Sequence, residues 1–379
     1  MASLHTCMAV VPPGLEAEAA KELSELGAAQ VRPLRRAVAF EASAAVMYRL
    51  YLEARLPFRL LRLLNSFPCR DPASLYAGVQ RAADWAQWLP PTRSLRVEVS
   101  GSAPGLPHSH FTALQVKNAL VDWQQQHFGE RSSVQLDNPD LVLHLHLQGG
   151  MASLSADGCS GSLHRRGWRA AMGLAPLKEN LAAGLIRLTG YNGTMPLLDP
   201  LCGSGTLLLE AAALALDRPV GLARPLLVAH WPDFDGQLWR DAWHRAEAAR
   251  QSPAPPIAPI IGTDADGAVI DQARANAEAA GLVEQLQLRK AAITDLDPPA
   301  GPGLIVCNPP YGQRLGGDQQ LEQLYAELAD VLKQRCPGWT LWLLSGNPEL
   351  TAALRMKASR RVPVSNGGID CRWLQYQIR

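Results

Sequence analysis

Residues 304–315 read LIVCNPPYGQRL. A short apolar run stops at an asparagine, then two prolines, a tyrosine and a glycine. The prolines remove backbone freedom, so the carbonyl of Pro309 is held beside the amide of Asn308. Those two oxygens can accept both hydrogens of one NH2 group. Tyr311 offers a ring on which a planar base can stack. This arrangement suits methyl transfer to an exocyclic amine. The nitrogen of such an amine is a poor nucleophile, because its lone pair is delocalised into the ring. Two fixed acceptors draw the N–H bonds toward tetrahedral geometry and stabilise the positive charge that grows on the nitrogen. Against an activated sulfonium donor, positioning carries most of the catalysis, and attack requires no histidine or carboxylate base. The plain alternative is a structural Asn-Pro turn.

Two further stretches are placed to deliver a donor. In MPLLDPLCGSGTLLLEAAALA (195–215) an apolar strand ends at Asp199, Gly203-Ser204-Gly205 makes a tight turn, and Thr206 opens a helix. Glycines let the backbone approach a ligand closely, and the new helix offers free N–H groups. The turn lacks the lysine of a phosphate-binding loop, which argues against ATP hydrolysis. In PIIGTDADGAVIDQARANAEAAG (259–281) a second strand ends at Asp264. A strand-tip acid of this kind accepts hydrogen bonds from both ribose hydroxyls. Helix N-capping is the alternative for both Asp264 and Asp266, and the favoured reading only for Asp266. Alone, either stretch fits a dehydrogenase. However, the turn is not G-x-G-x-x-G, and no acid or base for hydride transfer is apparent.

These three stretches need a scaffold. From about residue 165 the pattern is strand, glycine turn, helix, strand, the grammar of a doubly wound parallel sheet. One insertion interrupts it, residues 230–259, with Trp239 and Trp243 four apart on a helix and a proline-rich connector. The tryptophans read as packing anchors rather than a binding stripe. Earlier, residues 1–60 read as a small α+β unit and residues 61–155 repeat the style. In DLVLHLHLQ (140–148), Leu141, Leu143, Leu145 and Leu147 alternate inward, so His144 and His146 share the other face. A metal pair there lacks a third ligand, and polar strand positions are the simpler reading.

Composition sets the limits. The chain has 379 residues, 47% of them hydrophobic, and a formal charge of +1. That suits two or three domains with a proper core, and the net charge announces no nucleic-acid partner. Eight arginines lie between residues 32 and 70 against Glu41 and Glu53. They read as solvated helix faces or as a surface for phosphates. The seven cysteines are scattered and odd in number, without C-x-x-C spacing. Reduced thiols in a cytosolic protein are expected, with no disulfide framework and no zinc site. No signal peptide and no membrane span are expected.

Taken together, the stretches resemble S-adenosylmethionine-dependent methyltransferases of the amino-group-modifying type, whose fourth motif reads [DNS]-P-P-[YF]. HRRGWRAAMGLAPLKENLAAGLI (164–186) looks like the segment before the catalytic sheet in THUMP-domain RNA methyltransferases. NPPYGQRL, WPDFDGQLW, GW (338–339) and NGGIDCRW (366–373) are most similar to bacterial 23S rRNA guanine-N2 methyltransferases, in their stand-alone or N-terminal-half form. The likeness covers nearly the whole chain and is weaker over 1–155.

The resemblance implies an α/β fold: a Rossmann-like class I methyltransferase sheet at 165–379, behind a ferredoxin-like domain at 1–60 and a THUMP RNA-binding domain at 61–155. It implies S-adenosylmethionine as cofactor, held by Asp199, by the turn Cys202, Gly203, Ser204, Gly205 and Thr206, and by Asp264. Pro176, Lys178 and Glu179 match a motif that closes over the methionine end, although an ordinary helix start is the alternative. Asn308, Pro309 and Tyr311 would hold the target base. One departure stands out. Relatives carry an acid at the third strand tip to bind the adenine amine, where this chain has Ala292; Asp295, three residues on, is the substitute. The expected activity is methylation of guanine N2 in 23S rRNA, naked or in a large-subunit assembly intermediate, by a cytoplasmic monomer without metal. A tRNA guanine-N2 or adenine-N6 methyltransferase, or a non-catalytic RNA-binding assembly factor, are the rivals.

Overall fold

The computed structural model describes residues 3–170, 177–253, 255–311 and 318–379. Its elements run β1 (His5–Val10), α1 (Glu16–Glu25), β2 (Ala29–Leu34), β3 (Ala37–Ala42), α2 (Ala44–Glu53), β4 (Arg59–Pro68), α3 (Pro72–Gln80), α4 (Trp85–Trp88), β5 (Leu95–Gly101), α5 (Ser109–Phe128), β6 (Leu141–Gln148) and β7 (Met151–Asp157). They continue with α6 (Glu179–Thr189), β8 (Leu197–Asp199), α7 (Thr206–Ala215), α8 (Gly236–Gln251), β9 (Ile260–Asp264), α9 (Gly267–Ala280), β10 (Leu286–Lys290), β11 (Leu304–Cys307), α10 (Asp318–Arg335), β12 (Thr340–Ser345), α11 (Pro348–Ala352), β13 (Arg360–Asn366) and β14 (Ile369–Gln377). Two compact units emerge, one of residues 1–11, 23–163 and 224–244, the other of 12–22, 164–223 and 245–379.

The first unit is built on a seven-stranded sheet, β2-β3-β1-β4-β7-β6-β5. Local signals start and stop its helices. Ser43 accepts a hydrogen bond from Val46 N–H at the start of α2, and Asp71 with Ser74 forms a capping box at α3. Gly129, at φ +73°, ends α5 in the left-handed conformation that glycine adopts without strain. The division expected at residue 60 falls inside β4, which pairs with β1 on one side and β7 on the other. Leu141, Leu143, Leu145 and Leu147 point into the core, as their alternation predicts. His144 is mostly buried, and burial lowers its pKa to about 4. His146 Nδ1 meets Ser100 Oγ at 2.9 Å. Among the described residues no group of three metal ligands occurs.

Residues 224–244, which include the first half of the insertion, pack into this first unit. Trp239 meets Tyr48 edge-on, and Trp231 packs on Trp88. The Arg62 guanidinium lies over both Trp88 and Trp231 and pairs with Asp233 at 2.7 Å. Trp239 is therefore a packing anchor, while Trp243 is 36% exposed. The arginine cluster divides in the same way. Arg49 pairs with Glu53, Arg59 with Glu98 and Asp157, and Arg62 with Asp233. Arg32, Arg35 and Arg70 are exposed and make no ion pair among the described residues. All seven cysteines are buried free thiols. No described helix is long and apolar enough to cross a membrane.

The second unit holds a seven-stranded sheet in the order β10-β9-β8-β11-β12-β14-β13. The first five strands are parallel, and β14 runs antiparallel to both β12 and β13. β11 is buried throughout, consistent with a sheet covered on both faces. One side of the core gathers Ile305, Cys307, Tyr325, Leu328, Trp339 and Leu343. On the other, Trp342 stacks on Trp373, whose indole N–H donates to the Leu185 carbonyl at 3.1 Å. Residues 12–22 belong here too. Leu15 is 1% exposed and fills the space above Gly184, where a Cβ would collide with its methyl groups. Truncating Leu15 opens a cavity that the α6 backbone cannot fill. Leu15→Ala should cost about 2–5 kcal/mol of stability, read as a lower urea midpoint with unchanged slope.

Candidate active site

From β8 the chain moves outward to β9 and β10, then returns to place β11 on the other side of β8. The carboxyl ends of β8 and β11 therefore flank a topological switch point, where crevices form in open α/β sheets. Leu197 and Leu198 of β8 pair with Leu304 and Ile305 of β11. β8 ends at Asp199 and β11 at Cys307, immediately before Asn308.

The glycine turn closes one wall. Gly203 and Gly205 take φ of +53° and +81°, and Gly205 caps α7. A Cβ on Gly203 would meet nothing within 4 Å, so open space lies over this turn. Asp264 anchors it from β9: one carboxylate oxygen accepts Gly203 N–H at 3.1 Å, the other Asp266 N–H at 3.1 Å. Cys202 N–H donates to the Thr263 carbonyl, and Asn276 on α9 donates to the Ser204 carbonyl. Asp266, by contrast, is the N-cap of α9, accepting from Ala268 N–H at 2.9 Å. Helix capping, the alternative weighed for both acids, thus falls to Asp266 and not to Asp264. Thr206 is the first residue of α7.

The opposite wall is the Asn-Pro-Pro-Tyr segment. Asn308 is partly buried, and its Oδ1 is a buried acceptor without a hydrogen-bond partner among the described residues. Tyr325 of α10 donates its hydroxyl to the Pro310 carbonyl at 3.3 Å. The Pro309 carbonyl accepts no hydrogen bond among the described residues. The neighbouring Cys307 thiol is pushed up by burial and by the Asp199 and Asp264 carboxylates, which marks how close the two walls lie. Tyr311 is partly buried, and burial raises its pKa to about 12, so it stays a neutral phenol.

Other expected positions are less central. Asp295 sits exposed in a 3-10 turn after β10. That loop is tied to the tip of β9 by a bond from Ala291 N–H to the Asp264 carbonyl. Lys178 is the exposed N-cap of α6. Pro176, like Gly312 to Leu315, lies outside the described residues. Glu179 is not a surface residue: it is 4% exposed and pairs with Arg169 at 2.7 Å.

A buried charge group escaped the sequence reading. Arg166 pairs with Glu210 at 3.2 Å, with both side chains wholly buried. Glu179 and Glu210 each keep one buried oxygen without a partner. With Trp168, Arg169, Thr206, Leu209 and Asn276 they line a small cavity at the start of α7. The available signal was Glu210, the one charged residue in the apolar run TLLLEAAALA. Glu210 needs a buried cation there, since an uncompensated buried charge is costly.

Comparison with known proteins places the chain. A family model described as the RMKL-like methyltransferase domain matches residues 166–375, more than half of the 379. The chain belongs to the RMKL-like methyltransferase family. This methyltransferase also matches the THUMP domain over residues 69–157 and the RlmL ferredoxin-like domain over residues 6–61. A Synechocystis protein named as a putative RNA methyltransferase is 42% identical over 378 residues, covering 100% of this chain and 98% of that one. The ribosomal RNA large subunit methyltransferases K/L of Syntrophotalea carbinolica and Pseudomonas aeruginosa are 38% and 37% identical. The alignments take in 98% and 100% of this chain and only 53% of each relative, so it spans about half their length. A solved structure described as a putative methyltransferase complexed with SAH is similar at TM-score 0.88 and 26% identity, covering 100% of this chain and 99% of that one. A Listeria monocytogenes structure described as a predicted N6-adenine-specific DNA methylase is similar at 0.87 and 27%, covering 100% and 97%. The Rossmann-like methyltransferase sheet behind ferredoxin-like and THUMP domains is thus borne out.

The buried acid of the site titrates abnormally. Asp199 is 2% exposed and accepts Leu201 N–H at 3.1 Å. Burial, then the Asp264 charge, pushes its carboxyl up to about 8, against about 3.9 in an unfolded chain. Between those values the unfolded chain releases a proton that the folded protein keeps. Stability therefore falls as pH rises through that window and stays low above it. Asp199→Asn should remove the loss. Its urea midpoint should exceed wild type at pH 9 and match it near pH 4.

Proposed function

We propose that this methyltransferase transfers a methyl group from S-adenosylmethionine to the N2 amine of a guanine in 23S rRNA. The observation that carries this reading is Asn308, whose buried Oδ1 lacks a partner at the end of β11, beside β8. An unsatisfied buried acceptor costs about 1–3 kcal/mol, so a ligand donor at that point has a physical role to fill. The Asn308 amide and the Pro309 carbonyl accept the two hydrogens of the target amine. Tyr311 supports the extruded base, and no side-chain base is required for attack.

The opposite wall fits the donor. Open space over Gly203 admits a ligand close to the backbone, and the start of α7 supplies N–H groups. Asp264 keeps lone pairs for ribose hydroxyls beyond its two backbone partners. Asp199 and the turn Cys202–Thr206 line the ribose and methionine side, and Asp295 serves the adenine end. Lys178, with Pro176, closes the methionine end. S-adenosylmethionine supplies an electrophilic methyl on a sulfonium.

The substrate class rests on the rest of the chain. The THUMP match and the K/L relatives favour ribosomal RNA, free or in an assembly intermediate, and hence the cytoplasm. Exposed Arg32, Arg35 and Arg70 are the candidates for binding phosphates. Replacing all three with alanine should weaken RNA binding and flatten its salt dependence, the slope falling by about 0.7–0.9 for each phosphate no longer neutralised. The name of the Listeria structure favours a second reading, adenine N6, because that amine presents the same two hydrogens.

Two measurements test the proposal. Labelled methyl transfer to 23S rRNA should fall at least about 100-fold in Asn308→Ala, while S-adenosylhomocysteine binds with unchanged affinity. Equal incorporation by wild type and variant would exclude the role given to Asn308. Nucleoside analysis of the product should show N2-methylguanosine; N6-methyladenosine would favour the second reading.

A further inference from the structure

We infer that Asn366, in the C-terminal hairpin, is a positioning residue for Tyr311 and so for the target base. The inference rests on the proposed reaction and concerns how its stacking surface is held. Asn366 Nδ2 donates to the Tyr311 hydroxyl oxygen at 2.7 Å, across 55 residues of sequence. Cys371 Sγ lies 3.8 Å from the same oxygen. Both come from the hairpin β13–β14, in which Asn366 pairs with Ile369 across Gly367 and Gly368 at φ +61° and +90°. Two left-handed residues make a tight turn of the kind that fixes hairpin register, and the register puts Asn366 opposite the tyrosine.

A second contact sets the plane of the ring. The Tyr311 ring lies against the backbone of Gly346, just past the end of β12, where any Cβ would fall inside the ring's van der Waals envelope. A third fixes the backbone before it, through Tyr325 and the Pro310 carbonyl. The ring is thus held at its root by α10, at its face by Gly346 and at its tip by Asn366. A tyrosine with only the first two holds can still swing about its side-chain torsions, so a stacked base would have to order it. Asn366 removes that freedom before the base arrives, which is how preorganisation assists positioning. Because Asn366 is the donor, the phenolic hydrogen of Tyr311 is not used in this bond, and the neutral phenol keeps its oxygen as acceptor.

The test is a double-mutant cycle on methyl transfer to 23S rRNA, with Asn366→Ala, Tyr311→Phe and the pair combined. Tyr311→Phe keeps the ring and removes the bond from the other side. Each single change should lower kcat/KM about tenfold. The combined variant should be no worse than either, with S-adenosylhomocysteine affinity and melting temperature unchanged. Gly346→Ala, which keeps Asn366 but displaces the ring, should lose activity in the same way. Losses that multiply to about a hundredfold in the pair, or a parallel loss of cofactor affinity, would overturn the inference. Wild-type activity in Asn366→Ala beside an inactive Asn308→Ala would sink this inference and leave the proposed reaction standing. An active Asn308→Ala would instead remove the reaction it rests on.

Discussion

The parallel pairing of β11 with β8 is the interaction on which the site depends. It brings residues more than a hundred apart in sequence to one edge of one sheet, Asp199 at the end of one strand and Asn308 at the end of the next. Burial does the rest. β11 is covered on both sides, so the polar side chain that follows it emerges where the sheet stops and little water remains. A carbonyl oxygen without a partner among the described residues is costly in such surroundings, and the proposed reaction would relieve that cost with an incoming amine.

The two walls of the crevice are stiff for different reasons. On the β8 side, hydrogen bonds to the backbone of the turn do the fixing: the Asp264 carboxylate holds Gly203 N–H and the Thr263 carbonyl holds Cys202 N–H. On the β11 side, residues from distant elements do it: the side chains of Tyr325 and Asn366 and the backbone of Gly346 each restrain a different part of the Pro-Pro-Tyr segment. At α7 the ion pair of Arg166 with Glu210 is dry, while in the pair of Arg169 with Glu179 only the carboxylate is buried. Buried pairs of this kind contribute little net stability but penalise any arrangement that separates them. The first pair ties the segment before α6 to α7, which the glycine turn opens, and the second ties it to the start of α6.

Local chemistry and strand order were legible from the residues alone. The end of an apolar strand at Asn308 and the glycine turn at 203–205 rest on interactions within a few residues. The alternating leucines of β6 declared their buried face for the same reason. Sequence patterning did not reveal β2, β4 or α3, because RLLRLLNSFP carries no clean alternation: β4 is paired on both sides and changes register beside β7. Nor did it show that residues 12–22 pack beside α6, or that residues 224–244 pack with the first unit.

The sequence by itself determined which residue types could hold an exocyclic amine and where a nucleotide-like donor could lie, since strand ends, glycine turns and proline restraints are short-range properties. Tertiary structure alone decided that Asp266 caps a helix while Asp264 holds the turn, that Glu179 is buried against Arg169, and that Asn366 reaches Tyr311. Those outcomes depend on which side chains meet after the chain has closed on itself. Residue type permits several partners for an acid or an amide, and only packing at long sequence separation selects one.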